Sequence, residues 1–266
     1  MATLSILRDT LRRTLWFAVP FLALSAVSAQ ATWSIVAVDA RSGEVGAAAA
    51  TCTVGVELIL GLVPGRGVIV AQAATNFAAR DKAVDMLENG ATGTKVLEVI
   101  ANESFNPGGI FSAPWTEQQY GVATLADGKA KAYTGNATPT WSGAVSEGSV
   151  SVQGNVLRSP EVVSAALDAY RATPGAMADR LLAALEAGAA RGGDARCDAQ
   201  RPALSAFVAV AKPEDTVASP SVYLVAPKAF GLLGAAWHML VPYAPEPEAS
   251  EPIATLRKMY EERPAP

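Results

Sequence analysis

Thr32 is the strongest candidate for a reactive residue, because of the residues that precede it. Ala29 to Ala31 place small side chains where a signal peptidase cuts, and cleavage after Ala31 would make Thr32 the first residue of the mature chain. An N-terminal threonine carries a hydroxyl beside a free α-amine, whose reference pKa of about 7.7 to 8.0 suits a base at working pH. The pattern predicts an N-terminal nucleophile. Cleavage after Ala29, which the same residues permit, would remove it.

Most other catalytic and metal-binding arrangements are excluded by count. The single histidine, His238, and two cysteines cannot form a Cys/His zinc cage, an HExxH peptidase site or a CxxCH haem attachment. No GxSxG sequence occurs, and the stretch Gly61 to Gly67 lacks the GK[ST] of a phosphate loop, which favours a plain surface loop. Acidic residues are scattered without a metal-like cluster. We therefore predict no metal and no cofactor.

Residues 1–31 have the three parts of a secretory signal. Arg8, Arg12 and Arg13 form a basic region, and the apolar run Leu15 to Val27 is too short for a comfortable membrane span. We expect a periplasmic or secreted protein with no stable membrane span after cleavage. Arg12-Arg13 also permits the twin-arginine route, although the surrounding residues match that signal poorly, and a transmembrane anchor is the less favoured alternative to a cleaved signal.

The composition limits the partners. Half of the 266 residues are hydrophobic, which is enough for one large domain or two small ones, and 25 acidic residues outnumber 21 basic ones. Because such a chain has no basic footprint for a polyanion, we predict no nucleic acid partner. The composition is also compatible with a homo-oligomer.

Cys52 and Cys197 are an even pair in a chain that we expect to be exported. In an oxidising compartment such a pair is more often a disulfide than two reactive thiols. The alternative is two separately buried thiols. Catalysis by either cysteine is disfavoured, because His238 lies in an apolar stretch with no evident orienting acid.

Alternating apolar residues and turn signals predict strands in groups, separated by pairs of helices. A hairpin is predicted from Trp33 to Ala50, a strand from Val68 to Gln72, and a second hairpin around Asp127-Gly128. The remaining strands are predicted near 149–153, 203–211 and 221–225, and the helices at 77–89, 93–102, 160–172 and 176–190. These blocks favour layered sheets covered by helices over a parallel doubly wound sheet.

The C-terminal part of the chain differs in composition. The run Gly231 to Val241 is apolar and of ambiguous type, and residues 242–252 are rich in Pro and Glu. We predict one domain at 32–241, followed at 242–266 by an extended connector and a short helix packed on the domain. The apolar stripe of that helix would be Ile253, Leu256, Met259 and Tyr260.

Several segments together resemble the DUF1028 family, which is grouped with the Ntn (N-terminal nucleophile) hydrolases and has no settled activity. The resemblance runs from Thr32 to about Tyr260. The segments that carry it are Thr32 to Asp39, Ser42 to Gly46, Ala71 to Ala73, Ser151 to Asn155, Arg180 to Gly188, Gly192 to Arg196, and Pro252 to Leu256. It implies an α+β fold, a four-layer αββα sandwich of antiparallel sheets.

The resemblance also implies roles for particular residues. Thr32 would be the nucleophile, and Asn155 would contact the oxyanion. Substrate contacts would come from Gln72, Gln153, Asp194 and Arg196. The simpler interpretations are that the two amides of the Ser151 to Asn155 segment satisfy a turn, and that Asp194 and Arg196 form a solvated loop pair.

Two functions from different classes fit these observations. One is an exported hydrolase that cleaves the amide bond of a small-molecule or peptide-like substrate with Thr32. The other is a non-catalytic periplasmic or secreted module that uses the same fold for binding or as part of the envelope.

Overall fold

Two antiparallel sheets organise the chain in the computed structural model, which describes residues 32–105, 113–198, 200–227 and 251–263. The strands of the larger sheet are β1 (Thr32–Asp39), β2 (Glu44–Thr51), β7 (Gly143–Glu147), β8 (Val150–Asn155), β9 (Ser205–Ala211) and β10 (Val222–Ala226). Those of the smaller sheet are β3 (Leu60–Val63), β4 (Gly67–Ala73), β5 (Gln118–Thr124) and β6 (Lys129–Thr134). The spatial orders are β10-β9-β2-β1-β8-β7 and β3-β4-β5-β6.

Helices cover the outer face of each sheet. The described helices are α1 (Phe77–Glu88), α2 (Gly93–Ile100), α3 (Glu161–Ala172), α4 (Met177–Ala190) and α5 (Pro252–Glu261). Helices α1 and α2 pack on the smaller sheet, and α3, α4 and α5 pack on the larger one. The predicted caps of α1 and α2 are confirmed: Asn76 accepts from the amide of Ala79, and Thr92 accepts from the amide of Lys95.

The core has three apolar layers, as two sheets with helices on both outer faces require. Alternate side chains of β1 lie in different apolar layers. Trp33 and Ile35 pack against α3 and α4, whereas Val36 and Val38 lie between the sheets. A third cluster, which includes Leu87 and Val96, joins the smaller sheet to its helices. The expectation of a mixed α+β fold with two antiparallel sheets is confirmed.

Strand β3 corrects the interpretation of Gly61 to Gly67 as a surface loop. Leu60 to Val63 pairs with β4, and only the following turn at 64–66 leaves the sheet. A Cβ at Gly61 would lie 2.6 Å from Cγ2 of Val84. Gly61 therefore allows helix α1 to pack close to the strand. Its role is the absence of a side chain and not the conformational freedom of a loop. Strand β7 was also missed, because its polar, half-exposed residues show little hydrophobic pattern.

Trp33 anchors the start of β1. Its side chain is fully buried, and a Cβ at Gly188 or Gly193 would lie only 2.7 or 2.8 Å from the indole ring. Both glycines therefore make room for the ring, and Gly193, at φ +50°, also forms the turn after α4.

Helix α5 packs on the larger sheet and on α4. Ile253 and Leu256 are buried in the cluster that contains Trp33, and Arg257 forms ion pairs with Glu186 and Asp179 of α4. The predicted signal peptide at 1–31, the run Gly231 to Val241 with His238, and the connector at 242–250 lie outside the described residues. In the part of the chain that is described, no helix has the length and apolar character needed to cross a membrane.

Candidate functional site

Thr32 is the first residue of β1 and is held from both sides. Its register partners are Thr51 on β2 and Asn155 on β8, and only 2% of its surface is exposed. The Thr32 hydroxyl lies 3.4 Å from the hydroxyl of Thr51. A residue paired on both sides in the middle of a sheet has a fixed backbone, unlike most chain termini.

Polar side chains line one end of the space between the two sheets. Along β1, Thr32 and Ser34 project into this space on the same face as Val36, since alternate residues of a strand share a face. The layer is therefore polar at the Thr32 end and apolar at the other end. Its buried polar members are Thr32, Ser34, Thr51, Gln72, Gln119, Ser151, Gln153 and Asn155.

Gln72 links the smaller sheet to the backbone of Thr32. Its Nε2 donates to the carbonyl oxygen of Thr32 at 3.3 Å and to Oε1 of Gln119 at 2.8 Å. Its Oε1 accepts a 2.6 Å hydrogen bond from the hydroxyl of Ser34. Both ends of this amide are thus engaged within the protein, which gives Gln72 a positioning role.

Gln153 occupies the next position in this network. Its Nε2 donates to the hydroxyl of Ser34 at 2.7 Å, and its Oε1 accepts from Ser151 at 2.9 Å. A Cβ at Gly121 of β5 would collide with the Gln153 amide, so this glycine makes room for the long side chain. Gln153 lies within β8, which overturns the interpretation of this amide as turn-satisfying.

Asn155 ends β8 opposite Thr32. Its Nδ2 donates to Oε1 of Gln119 at 3.1 Å, and its Oδ1 is buried without a hydrogen-bond partner among the described residues. Buried polar atoms in proteins are almost always paired, so this oxygen requires a hydrogen-bond donor beyond those side chains. Asn155, like Gln153, is a strand residue and not part of a turn.

Asp194 and Arg196 form a partly buried ion pair beside this network. The Asp194 carboxylate is fully buried and accepts from Nε of Arg196 at 3.1 Å and from Nη2 at 2.8 Å. Nη2 of Arg196 also lies 3.4 Å from the hydroxyl of Thr51, the partner of Thr32. The pair is therefore structural and close to the site, which overturns its interpretation as a solvated loop pair.

The predicted disulfide between Cys52 and Cys197 is present, and it lies beside the same ion pair. The bond joins residues 145 positions apart, and the amide of Cys52 donates to Oδ2 of Asp194 at 2.6 Å. It therefore ties the segment after β2 to the segment that carries Asp194 and Arg196.

The structure brings the predicted site residues together in two groups. Thr32, Gln72, Gln153 and Asn155 share the polar layer between the sheets, and Asp194 with Arg196 reaches that layer through Thr51. Gln119, which contacts both Gln72 and Asn155, was missed from the sequence. The sequence does contain one signal for it: Gln119 lies on the same face of its strand as Gly121, which leaves room for a long polar side chain between the sheets. Within the described ranges, no group of three or more His, Cys, Asp or Glu residues could hold a metal ion.

Comparison with known proteins identifies relatives of this chain. The crystal structure of protein SPO2555 from Silicibacter pomeroyi, itself described under DUF1028, is similar with a TM-score of 0.65. The two chains are 24% identical over 87% of this chain and 85% of that chain, a likeness that shows the fold alone. None of the curated proteins matches this chain. The model of the DUF1028 family, a family of unknown function, matches residues 32–226, and the chain therefore belongs to that family.

Proposed function

We propose that the protein is an exported amide hydrolase of the Ntn type, with Thr32 as its N-terminal nucleophile. The observation that carries the proposal is the place of Thr32, which begins a central strand at the polar end of the space between the sheets. The arrangement of two sheets between helix layers supports assignment to the Ntn superfamily. The disulfide supports an oxidising compartment such as the periplasm or the cell exterior.

The chemistry follows from the hydroxyl and the α-amine on one residue. The neutral amine takes the proton of the Thr32 hydroxyl as the oxygen attacks the carbonyl carbon of the amide. The C–N bond then breaks, the leaving amine receives the proton, and an ester to Thr32 remains. Water, activated by the same amine, hydrolyses the ester and restores the hydroxyl.

The surroundings of Thr32 supply the rigidity that such a reaction needs. Its carbonyl oxygen is held by Gln72, and its neighbour Trp33 is buried against two glycines. Fixing the nucleophile in advance lowers the entropy cost of reaching the reactive geometry. The substrate would be a small-molecule or peptide-like amide.

The first experiment determines where the exported protein begins. N-terminal sequencing should give Thr-Trp-Ser-Ile, the sequence that starts at Thr32. A mature chain beginning at Gln30 would contradict the proposal, because the amine of Thr32 would then be part of a peptide bond.

The second experiment tests the nucleophile with an electrophilic amide mimic such as a β-lactone. Intact-protein mass spectrometry should show one adduct, mapped by digestion to Thr32. Thr32→Ala should abolish the adduct, and Thr32→Ser should retain it. Because Thr32 is only 2% exposed, labelling also reports whether a small molecule reaches its hydroxyl.

Thr124→Ala is a suitable control, because Thr124 is also a buried strand threonine but its hydroxyl bonds to the carbonyl oxygen of Ala91. This variant should label like the wild type. A mature chain that begins at Thr32 and forms no adduct would favour the non-catalytic binding module.

A further inference from the structure

The orientation of the Gln119 amide is fixed by its neighbours. Its Nε2 lies 2.8 Å from the carbonyl oxygen of Gly154 and 3.2 Å from that of Gly143. Carbonyl oxygens only accept hydrogen bonds, so the group facing them must be the NH2 of Gln119. Its Oε1 therefore faces the opposite way, toward Gln72 and Asn155.

This orientation determines that of Asn155. An amide oxygen needs donors, and Oε1 of Gln119 receives one from Nε2 of Gln72 at 2.8 Å and one from Nδ2 of Asn155 at 3.1 Å. Gln72 confirms the direction, since the same Nε2 donates to the carbonyl oxygen of Thr32. The NH2 of Asn155 is therefore engaged, and its oxygen points away from Gln119.

The remaining atom, Oδ1 of Asn155, is a buried acceptor without a partner among the residues that the structure describes. Leaving such an atom unpaired is unfavourable, because it has lost its hydrogen bonds to water and gained none in the protein. The atom calls for an N–H or O–H donor. As oriented, the side chain is better suited to accept a hydrogen bond than to donate one to an oxyanion.

The register of β1 and β8 brings a suitable donor to this position. The amide of Val38 donates to the carbonyl oxygen of Ser149, and in an antiparallel pair every second residue has its N–H on the same side. The nitrogen of Thr32, six residues earlier, therefore also faces β8, where its ladder partner is the backbone carbonyl oxygen of Asn155. In a chain cut before Thr32, this nitrogen is the α-amine, which has more than one N–H and can donate to the side-chain oxygen of Asn155 as well as to the backbone carbonyl.

We propose that Oδ1 of Asn155 accepts a hydrogen bond from the α-amine of Thr32, with Gln119 holding the Asn155 amide in the required orientation. The inference rests on the proposed function, because it assigns a positioning role toward the amine that serves as base. Both residues act through Thr32 and need no contact with the substrate. An acceptor at this position favours the protonated amine, so its removal should make the amine easier to deprotonate.

The test measures the titration of the amine directly. The full-length chain carries a factor Xa sequence in place of residues 28–31, is labelled with 13C-threonine, and is cut before Thr32 after folding. The Thr32 Cα signal is then followed by NMR from pH 5 to pH 10. Asn155→Ala should move the titration midpoint down by about one pH unit, the size expected for loss of one hydrogen bond to a charged group.

Asn155→Asp provides a second variant with the opposite expectation. Its carboxylate keeps an acceptor near the amine and adds a negative charge, so the midpoint should rise. Asp194 and Arg196 are the charged groups that reach this region, through Thr51, and they are unchanged in every variant.

Ser151→Ala is the matched control. Ser151 is equally buried on β8 and donates to Gln153, but it lies four residues from Asn155. The control should leave the midpoint unchanged. An unchanged midpoint in the Asn155 variants would overturn the inference, and so would an equal shift in Ser151→Ala. If Asn155→Ala does not fold, the midpoint of Asn155→Asp alone tests the inference. If the midpoints shift as expected but no amide is hydrolysed, the proposed function fails and this inference stands.

Discussion

The backbone amide of Cys52 donates a 2.6 Å hydrogen bond to Oδ2 of Asp194, 142 residues further along the chain. The same carboxylate pairs with Arg196, and the disulfide joins Cys52 to Cys197, three residues after Asp194. Three kinds of interaction thus hold the end of β2, next to Thr51, against the segment after α4. The candidate site depends on this junction, because Thr51 is the register partner of Thr32.

Removal of the Asp194 carboxylate should destabilise the protein strongly. Asp194→Ala removes the buried carboxylate that accepts from the Cys52 amide and from Arg196, and a hydrogen bond to a charged group typically contributes about 1.5 to 3 kcal/mol. Urea unfolding measures this cost. Asp198→Ala removes only an exposed hydrogen bond from the amide of Gln200 and should change the free energy of unfolding by less than about 1 kcal/mol. Equal effects would contradict the structural role of Asp194.

Loss of the disulfide should also lower stability. The bond closes a loop with a sequence separation of 145, for which the chain-entropy estimate is roughly 4 to 5 kcal/mol. Replacing both Cys52 and Cys197 by Ser should reduce the free energy of unfolding by an amount approaching that value. Mass spectrometry of a non-reduced digest of the purified protein should find the two cysteine peptides joined. Two free thiols there would disprove the pairing.

Gly193→Ala should be costly because of Trp33. An added Cβ would lie 2.8 Å from the indole ring, and crowding of this kind typically costs about 1 to 3 kcal/mol. The backbone at Gly193 also has positive φ, which any other residue disfavours. Gly128→Ala isolates that backbone effect, since Gly128 has φ +65° and no atom within 4 Å of a new Cβ. Thermal unfolding should show a clearly larger loss for Gly193→Ala than for this control.

Truncation of Leu256 should test whether α5 contributes to the core. Leu256 is fully buried against the larger sheet, and Leu→Ala changes at such positions cost about 2 to 5 kcal/mol. Lys258→Ala on the exposed face should cost less than about 1 kcal/mol, since its ion pair with Glu262 is solvent-exposed. If both variants melt at the same temperature as the wild type, the helix is a loose appendage.

Stability should fall above pH 10 because of buried tyrosines. Burial raises the pKa of Tyr170 to about 12, from 10.0 in an exposed tyrosine, and burial also raises the pKa of Tyr120. Above pH 10 the unfolded chain loses these protons while the folded protein keeps them, so unfolding becomes easier as the pH rises toward 12. Each such tyrosine contributes a slope of about 1.4 kcal/mol per pH unit. Urea unfolding between pH 9 and 11 should show a smaller slope in Tyr170→Phe.

The sequence alone predicted the elements with strong local signals. The hairpin of β1 and β2, the Asp127-Gly128 hairpin and the caps Asn76 and Thr92 depend on neighbouring residues, and the structure contains all of them. Strand β3 was missed because its glycine is explained by packing against Val84, a residue of a different element.

The candidate site shows the same limit. Thr32 was predicted from the cleavage pattern before it, and Gln72, Gln153 and Asn155 came from the resemblance. The structure places all four in one polar layer. Their mutual orientation could not be predicted, because it depends on Gln119 and on two backbone carbonyl groups of other strands. Because the direction of this hydrogen bond is set by residues of three separate strands, it has no signature in the local sequence.

The network from Ser146 through Ser151, Gln153, Ser34, Gln72 and Gln119 to Asn155 consists only of hydroxyl and carboxamide groups. Such groups do not ionise under physiological conditions, so acidification of the medium around an exported protein leaves their hydrogen bonds unchanged. The side chains of this network therefore carry no charge that changes with pH. Any acid sensitivity of the proposed reaction would therefore not come from these seven side chains, whereas the α-amine of Thr32 does titrate.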